Sequence, residues 1–166
     1  FEQTYSEVEG DSAAVAELVA ILSSLADVPV RQWLAVTGSI NQLGEIQPIG
    51  GINEKIEGFF EACRKRGLTG KEGAIIPARN VKHLALSRAV VDAVASRQFS
   101  VFAVGTIDEA IEILTGLPAG ERNMDGVYQP GTLYAQAAQR LQDMALAAAE
   151  WGNVEGQSHR RIITEG

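Results

Sequence analysis

Residues 35–56 of the chain read AVTGSINQLGEIQPIGGINEKI, and the order of elements predicted for this stretch decides the fold. Alternating side chains from Trp33 to Gly38 predict a strand. A polar turn at residues 41–44 leads into a second extended stretch at residues 45–49, so we expect the two stretches to pair as a hairpin. Proline and glycine end the second stretch, and a helix is predicted to begin near Asn53.

Further elements are predicted on both sides of this stretch. Apolar residues recur with a helical period over residues 12–26, which indicates a helix that is covered on most sides. Short apolar runs at residues 74–77 and 100–104 predict two strands, and a helical pattern at residues 89–94 separates them. This order predicts a right-handed parallel crossover.

A last helix is predicted to close the main domain. Thr106 and Glu109 have the spacing of a capping box, and the apolar pattern that follows ends near Gly116. We therefore predict an α/β (α+β) domain over residues 1–118, with a small mixed sheet and packed helices.

The rest of the chain is predicted as a linker and helical extension at residues 119–152 and a flexible tail at residues 153–166. We expect the extension to dock on the domain or on a neighbouring subunit, because it has a single apolar stripe. The chain opens on Phe1, and we expect it to be a piece of a longer protein. The apolar stripe of the helical extension consists of Leu133, Ala137, Leu141, Met144 and Ala148.

Composition excludes several classes of protein. The net charge of −7 and the lack of a basic stripe argue against nucleic acid or a membrane surface as a partner. No apolar run is long enough to span a bilayer. A lone cysteine, Cys63, and the lack of a signal peptide predict a cytoplasmic location. His83 and His159 are distant in sequence, so no metal site is predicted.

Ser12 is the first candidate for chemistry. It lies in the segment EGDSAA at residues 9–14, at the predicted start of the most apolar helix and among small residues. Free backbone N–H groups and the positive end of the helix dipole would stabilise an oxyanion there. The alternative is structural, because Asp11 or Ser12 would also serve as an ordinary N-cap.

Lys55 is the second candidate. Helical spacing places it on one face with Ile52, Phe59 and Ala62. Removing an ammonium group from water favours its neutral form, and a neutral amine accepts a proton from a serine hydroxyl as a general base. Alternatively, the side chain buries only its stem while the charge reaches water.

Other residues give weaker signals. Thr37 lies on the predicted strand before Gly38 and is placed to orient an amine, although threonine is also common in strands. The segment around Ser12 approaches a GxSxG nucleophile elbow with His83 as base, but the elbow requires a preceding apolar strand and residues 5–9 are mostly polar. Paired glycines at residues 50–51 fit a turn better than a phosphate cradle, since no GxxxxGK[ST] pattern exists.

Acidic residues of the second helix are expected on its solvated face. Glu54, Glu57 and Glu61 lie toward the side opposite the apolar seam, and Glu61 has the spacing to pair with Lys65. We predict no chemical role for these carboxylates.

Three segments together resemble one known family. VEGDSAA at residues 8–14, followed by AVTGSI at residues 35–40 and GEIQPIGGINEKI at residues 44–56, is similar to the Lon protease signature in sequence, order and spacing. The resemblance extends from about Glu9 to about Gly116 and is closer to the branch with an EGDSA-type segment.

The resemblance implies a Lon-type ATP-dependent protease whose proteolytic domain uses a Ser-Lys dyad of Ser12 and Lys55. It places Thr37 near the lysine amine, and Glu9 and Asp11 in the nucleophile loop. It implies unfolded or damaged proteins as substrates and a homo-oligomer, a hexameric ring in the full-length protein. No cofactor is expected in this chain, and ATP with Mg is expected only at an ATPase module outside it.

Two other functions stay open at this point. One is a noncatalytic protease-like module that assembles a ring or binds unfolded polypeptide without cleaving it. The other is a small-molecule amidase or esterase that uses the same dyad in a closed pocket. The family's strands before the serine are not among the eleven residues that precede Ser12, so parts of the active-site wall are expected to be missing.

Overall fold

The computed structural model describes the backbone of residues 10–163 and the side chains of residues 10–151. Within residues 10–163, no helix is both long and apolar enough to cross a membrane. In chain order the elements are α1 (Ala14–Ala26), β1 (Leu34–Val36), β2 (Ser39–Ile40), β3 (Ile46–Gln47), α2 (Ile52–Arg66), β4 (Gly73–Pro77), a 3-10 helix (Ala78–His83), α3 (Arg88–Ala95), β5 (Ser100–Val104), α4 (Ile107–Thr115) and α5 (Leu133–Ile163).

A three-stranded parallel sheet forms the centre, with the order β1-β4-β5. The middle strand, β4, is buried along its whole length, as expected for an apolar strand covered on both faces. Helix α3 lies between β4 and β5 in the chain. The predicted parallel strand-helix-strand unit is therefore confirmed.

The hairpin has different partners from those predicted. The first strand of the expected pair, β1, joins β4 in parallel, with Ala35 opposite Ala74. The antiparallel pair is β2 with β3, where Ser39 faces Gln47 across the predicted turn. The chain leaves the sheet at Thr37 and Gly38, so only the residues beyond them are free to fold back. The α/β class is confirmed, and strand directions are mixed across two small sheets.

Helices cover both faces of the parallel sheet. Alternate side chains of β4 face opposite layers: Ile75 packs with α1, α4 and α5, whereas Ala74 and Ile76 pack with α2 and α3. Apolar burial in these two clusters is the main stabilising contribution. The sheet thus separates α1, which follows Ser12, from α2, which contains Lys55.

Helix α5 docks on the domain through its first turns only. Leu133 and Ala137 are buried in the α1 cluster, whereas Leu141 and Met144, on the same predicted stripe, are about half exposed. Docking on the domain is confirmed for this first part. The helix continues to Ile163, so the described backbone has no break at the boundary expected after residue 152. Residues 164–166 lie outside the described part.

Candidate active site

Ser12 lies in a turn directly before α1. The helix begins at Ala14, whose backbone N–H donates to the Asp11 carbonyl over 3.0 Å. No side chain caps the helix, whereas a true N-cap accepts a hydrogen bond from the first turn. The prediction that the helix starts at Ser12 is corrected, and the N-cap interpretation of Asp11 or Ser12 is wrong. We call residues 11–13 the Ser12 turn.

The residues that follow β1 hold the Ser12 turn in place. Thr37 Oγ1 donates to the Ser12 carbonyl oxygen over 3.1 Å, and the Gly38 N–H donates to the same oxygen over 2.9 Å. The Gly38 carbonyl in turn accepts from the N–H of Val15 over 3.2 Å, which satisfies a free donor of the helix start. Thr37 was expected to bond the Lys55 amine, but its hydroxyl bonds the Ser12 backbone.

Asp11 and Ser39 form a further link between these segments. The Ser39 hydroxyl, 8% exposed as a residue, donates to Asp11 Oδ2. Asp11 thus anchors the Ser12 turn through its side chain. Sequence reasoning missed Ser39, because its partner lies 28 residues away and leaves no local pattern. Glu9, the other expected supporting residue, lies outside the described residues.

Lys55 reaches Ser12 from the other side of the sheet. It lies in the first turn of α2, and its Nζ donates to Ser12 Oγ over 3.2 Å. The residue is exposed, so its charge reaches water, which was the alternative to burial in an apolar seam. The buried face of α2 consists of Ile52, Ile56 and Phe60. Lys55 precedes Ile56 by one residue and is therefore turned about 100° from the centre of this face.

Polar side chains hold α2 and the loop before it. Asn80 is 3% exposed and bonds the backbone of Ile49 through both ends of its amide. Glu57, expected on the solvated surface, accepts from the backbone N–H of Ser87 over 2.7 Å in a contact that is open to water. Glu61 pairs with Arg64 instead of the predicted lysine. Asn80 was not singled out from the sequence; its position just after a buried apolar strand was the signal that could have identified it.

A cavity of about 290 Å³ opens beside Ser12 and Lys55 at the β1 edge of the sheet. Small and apolar side chains form its walls, among them Ala35, Ile56 and Ile76. A larger groove of about 650 Å³, where α1 ends against α5, contains neither Ser12 nor Lys55. The cavity that does contain them has room for an apolar side chain of a ligand.

His83 is not near this cavity. It ends the 3-10 helix, is exposed, and lines a separate surface groove with Pro48, Arg79 and Lys82. The predicted surface location of His83 is confirmed. The strand that a nucleophile elbow needs before the serine falls on residues outside the described part.

Comparison with known proteins gives one family. Residues 6–116 match the model of the Lon protease (S16) C-terminal proteolytic domain. The chain is 56% identical over 117 residues to a protein of Escherichia coli (strain K12) named "Putative Lon protease homolog". These 117 residues cover 70% of this chain and 20% of that protein.

Two further relatives extend this similarity. A Haemophilus influenzae protein of the same name is 42% identical over 145 residues, which cover 87% of this chain and 24% of that protein. An "Archaeal Lon protease" of Thermococcus kodakarensis is 40% identical over 113 residues, covering 68% and 16% respectively. The chain therefore spans at most about a quarter of the length of these relatives.

Proposed function

The chain belongs to the Lon protease (S16) C-terminal proteolytic domain family, and on this premise we propose that it is the serine peptidase domain of an ATP-dependent Lon-type protease. The family membership supports a peptidase in general terms. The observation that carries the finer proposal is the 3.2 Å contact between Lys55 Nζ and Ser12 Oγ. A nucleophile and its base must be within this reach.

In the proposed reaction Ser12 is the nucleophile and Lys55 is the general base. The neutral Lys55 amine accepts the Ser12 proton while Oγ attacks the carbonyl carbon of the peptide bond. The resulting ammonium then donates that proton to the leaving amine, which leaves Ser12 acylated. Water, activated by the same lysine, hydrolyses the ester and restores both side chains.

The start of α1 is suited to stabilise the negative charge that forms on the carbonyl oxygen when Ser12 attacks. Ser12 precedes the first turn of this helix, where the aligned peptide dipoles leave a partial positive charge. The N–H groups of Ala14 and Val15 already donate to backbone carbonyls. We therefore assign the oxyanion contact to the backbone amides of the Ser12 turn itself.

The exposure of Lys55 gives the substrate a part in the mechanism. A polypeptide lying across Ser12 and Lys55 would remove water from the exposed amine, and removal of water favours the neutral form of an amine. Under this proposal the amine becomes an effective base when substrate covers it. The neighbouring apolar cavity would hold one side chain of the bound polypeptide.

The wider biochemical setting is also proposed from the family. Substrates are unfolded or damaged proteins, and ATP with Mg acts at an ATPase module that is separate from the residues described above. The full-length protein forms a homo-oligomeric ring of six subunits in the cytoplasm. A ring would keep a weakly selective peptidase away from folded proteins.

Hydrolysis of an unfolded protein tests the proposal. In the full-length protein, Ser12→Ala is expected to abolish release of peptides from fluorescently labelled unfolded casein in the presence of ATP and Mg. Ser24→Ala is the matched control, because Ser24 is an exposed serine on α1, the helix that follows Ser12, and its loss should leave the rate unchanged. Equal rates for Ser12→Ala and wild type would exclude Ser12 as the nucleophile.

A further inference from the structure

Asn80 is one of three buried polar residues within the part of the chain that the structure describes. Its residue exposure is 3%, and it follows the central strand β4 by three positions. The Ile49 N–H donates to Asn80 Oδ1 over 3.0 Å, and Asn80 Nδ2 donates to the Ile49 carbonyl over 2.9 Å. The amide thereby replaces one step of a strand ladder and holds the backbone at Ile49.

The position of Ile49 is transmitted to Lys55 over a short stretch of backbone. Gly51, two residues after Ile49, adopts a positive φ of 66° that directs the chain into α2. The Gly51 carbonyl accepts from the N–H of Lys55 over 3.1 Å, which forms the first turn of the helix. A shift of Ile49 would therefore move the start of α2 and with it the lysine.

The rotation of α2 is set by the same region of the chain. Asn53 Nδ2 donates to the His83 carbonyl over 3.1 Å, and Asn53 Oδ1 accepts from the N–H of Ala85 over 2.8 Å. One turn later Glu57 accepts from the backbone of Ser87. These contacts are partly open to water, whereas the Asn80 amide is buried and its loss is correspondingly costly.

We propose that Asn80 is a positioning residue for the Ser12–Lys55 pair, acting through Ile49 and the first turn of α2. This inference rests on the proposed peptidase function. Asn80 does not line the cavity beside Ser12, so its loss should slow acylation without weakening the binding of a substrate analogue. Misplacing a catalytic group by about 1 Å typically costs about 100-fold in rate.

The kinetics of Ser12 labelling by a serine-directed peptidyl acylating probe test this inference in the full-length protein. For Asn80→Ala, the maximal labelling rate is expected to fall about 10- to 100-fold, while the probe concentration for half-maximal rate changes less than about twofold. Thr132→Val is the matched control. It also removes a buried polar group, a hydroxyl that donates to the Gln129 carbonyl, but at the start of α5.

Asn80→Asp gives a second test, in which a side chain of nearly the same size still fills the buried position. A protonated carboxyl both donates and accepts, as the amide does, whereas the carboxylate only accepts and would face the Ile49 carbonyl. The labelling rate of Asn80→Asp relative to wild type, at each pH, is therefore expected to rise as the pH is lowered. A constant ratio across the pH range would contradict the requirement for a donor at residue 80.

The outcomes separate the two levels of the proposal. Wild-type labelling that Ser12→Ala abolishes, combined with a large loss of maximal rate in Asn80→Ala but not in Thr132→Val, supports the positioning role. Wild-type maximal rates in Asn80→Ala, or equal losses in both variants, overturn it while the peptidase proposal stands. Labelling of Ser12→Ala at the wild-type rate overturns both the positioning role of Asn80 and the peptidase proposal.

Discussion

The Ser12 turn depends on a residue without a side chain. Gly38 donates its N–H to the Ser12 carbonyl and accepts from Val15, so its backbone lies directly against the start of α1. A Cβ atom at residue 38 would lie 2.9 Å from Ile46 Cγ2 and 3.1 Å from Val15 Cγ2. These distances are too short for carbon atoms in contact, so a larger residue must push the two segments apart.

Gly38→Ala is therefore expected to lower the free energy of unfolding by about 1–3 kcal/mol, because it overpacks a closely packed site. It should also slow acylation of Ser12, since the Ser12 carbonyl loses its position. Urea denaturation and probe labelling measure the two effects.

Gly58→Ala is the matched control for this substitution. Gly58 lies in α2, and nothing is within 4 Å of the Cβ that an alanine would add there. The control should gain about 0.5–1 kcal/mol from the better helix propensity of alanine. Full stability and full labelling of Gly38→Ala would show that the close approach at residue 38 is not required.

At the scale of elements, α4 and α5 are linked by a polar contact beside their apolar one. Thr106 caps α4 by accepting from the N–H of Glu109, as the capping-box pattern predicted. In the first turn of the same helix, Asp108 accepts a hydrogen bond of 2.6 Å from the Tyr134 hydroxyl on α5. The extension is thus held to the domain by more than its buried leucine.

This contact gives the stability a defined dependence on pH. Burial, the hydrogen bond to Asp108 and the charge of that carboxylate all raise the pKa of Tyr134 above its ordinary value. The unfolded chain therefore loses this proton first, and the contribution is full below about pH 10 and decreases as the pH rises further. Tyr134→Phe should cost about 1 kcal/mol at neutral pH and less at high pH.

Urea denaturation of wild type and Tyr134→Phe between pH 7 and pH 11 checks this expectation. Tyr128→Phe is the matched control, because the Tyr128 ring packs against Tyr134 but its hydroxyl makes no hydrogen bond with the described residues. A stability difference between wild type and Tyr134→Phe that stays constant up to pH 11 would contradict the proposed contribution of the hydroxyl.

At the scale of the whole molecule, a three-layer arrangement brings together two residues that are 43 positions apart in the chain. Ser12 comes with α1 from one face of the sheet and Lys55 with α2 from the other. They meet beside β1 because this strand is the edge of the three-stranded sheet in the described residues. The site is thus a consequence of sheet order. The sequence around Ser12 or around Lys55 alone therefore does not show that the two residues meet.

The predictions from sequence succeeded where the signal is local and failed where it is not. The start of α2, the parallel β4–β5 unit and the cap of α4 follow from periodicity, glycine placement and capping residues. The pairing of β1 with β4 and the bonds made by Ser39 and Asn80 depend on partners distant in sequence. The side-chain pattern of one segment does not specify such partners.

The exposure of Lys55 agrees with one of the two alternatives that its helical spacing left open, in which the charge reaches water. The sequence did not decide between burial and exposure, because the width of the covered face of α2 depends on how close β4 and α3 approach. Local chemistry made Ser12 and Lys55 candidates but left an N-cap and a solvated lysine open, and only the resemblance to a family joined the two residues as a pair. The structure excludes the N-cap and brings the two side chains into contact.

The most direct test of this account is the intact mass of the full-length protein after treatment with a serine-directed peptidyl acylating probe at neutral pH. Burial and the nearby charge of Glu72 raise the pKa of the Cys63 thiol, so this thiol should not compete for the probe. Lys65→Arg, an exposed lysine in the last turn of α2, is the matched control for Lys55→Arg.

The proposed Ser12–Lys55 dyad predicts one adduct per chain in wild type and in Lys65→Arg, and none in Ser12→Ala. Lys55→Arg should be labelled about 100- to 10,000-fold more slowly, because arginine keeps the charge but does not act as a base near neutral pH. Labelling of Lys55→Arg at the wild-type rate, or of Ser12→Ala at any comparable rate, would contradict the proposed Ser12–Lys55 dyad.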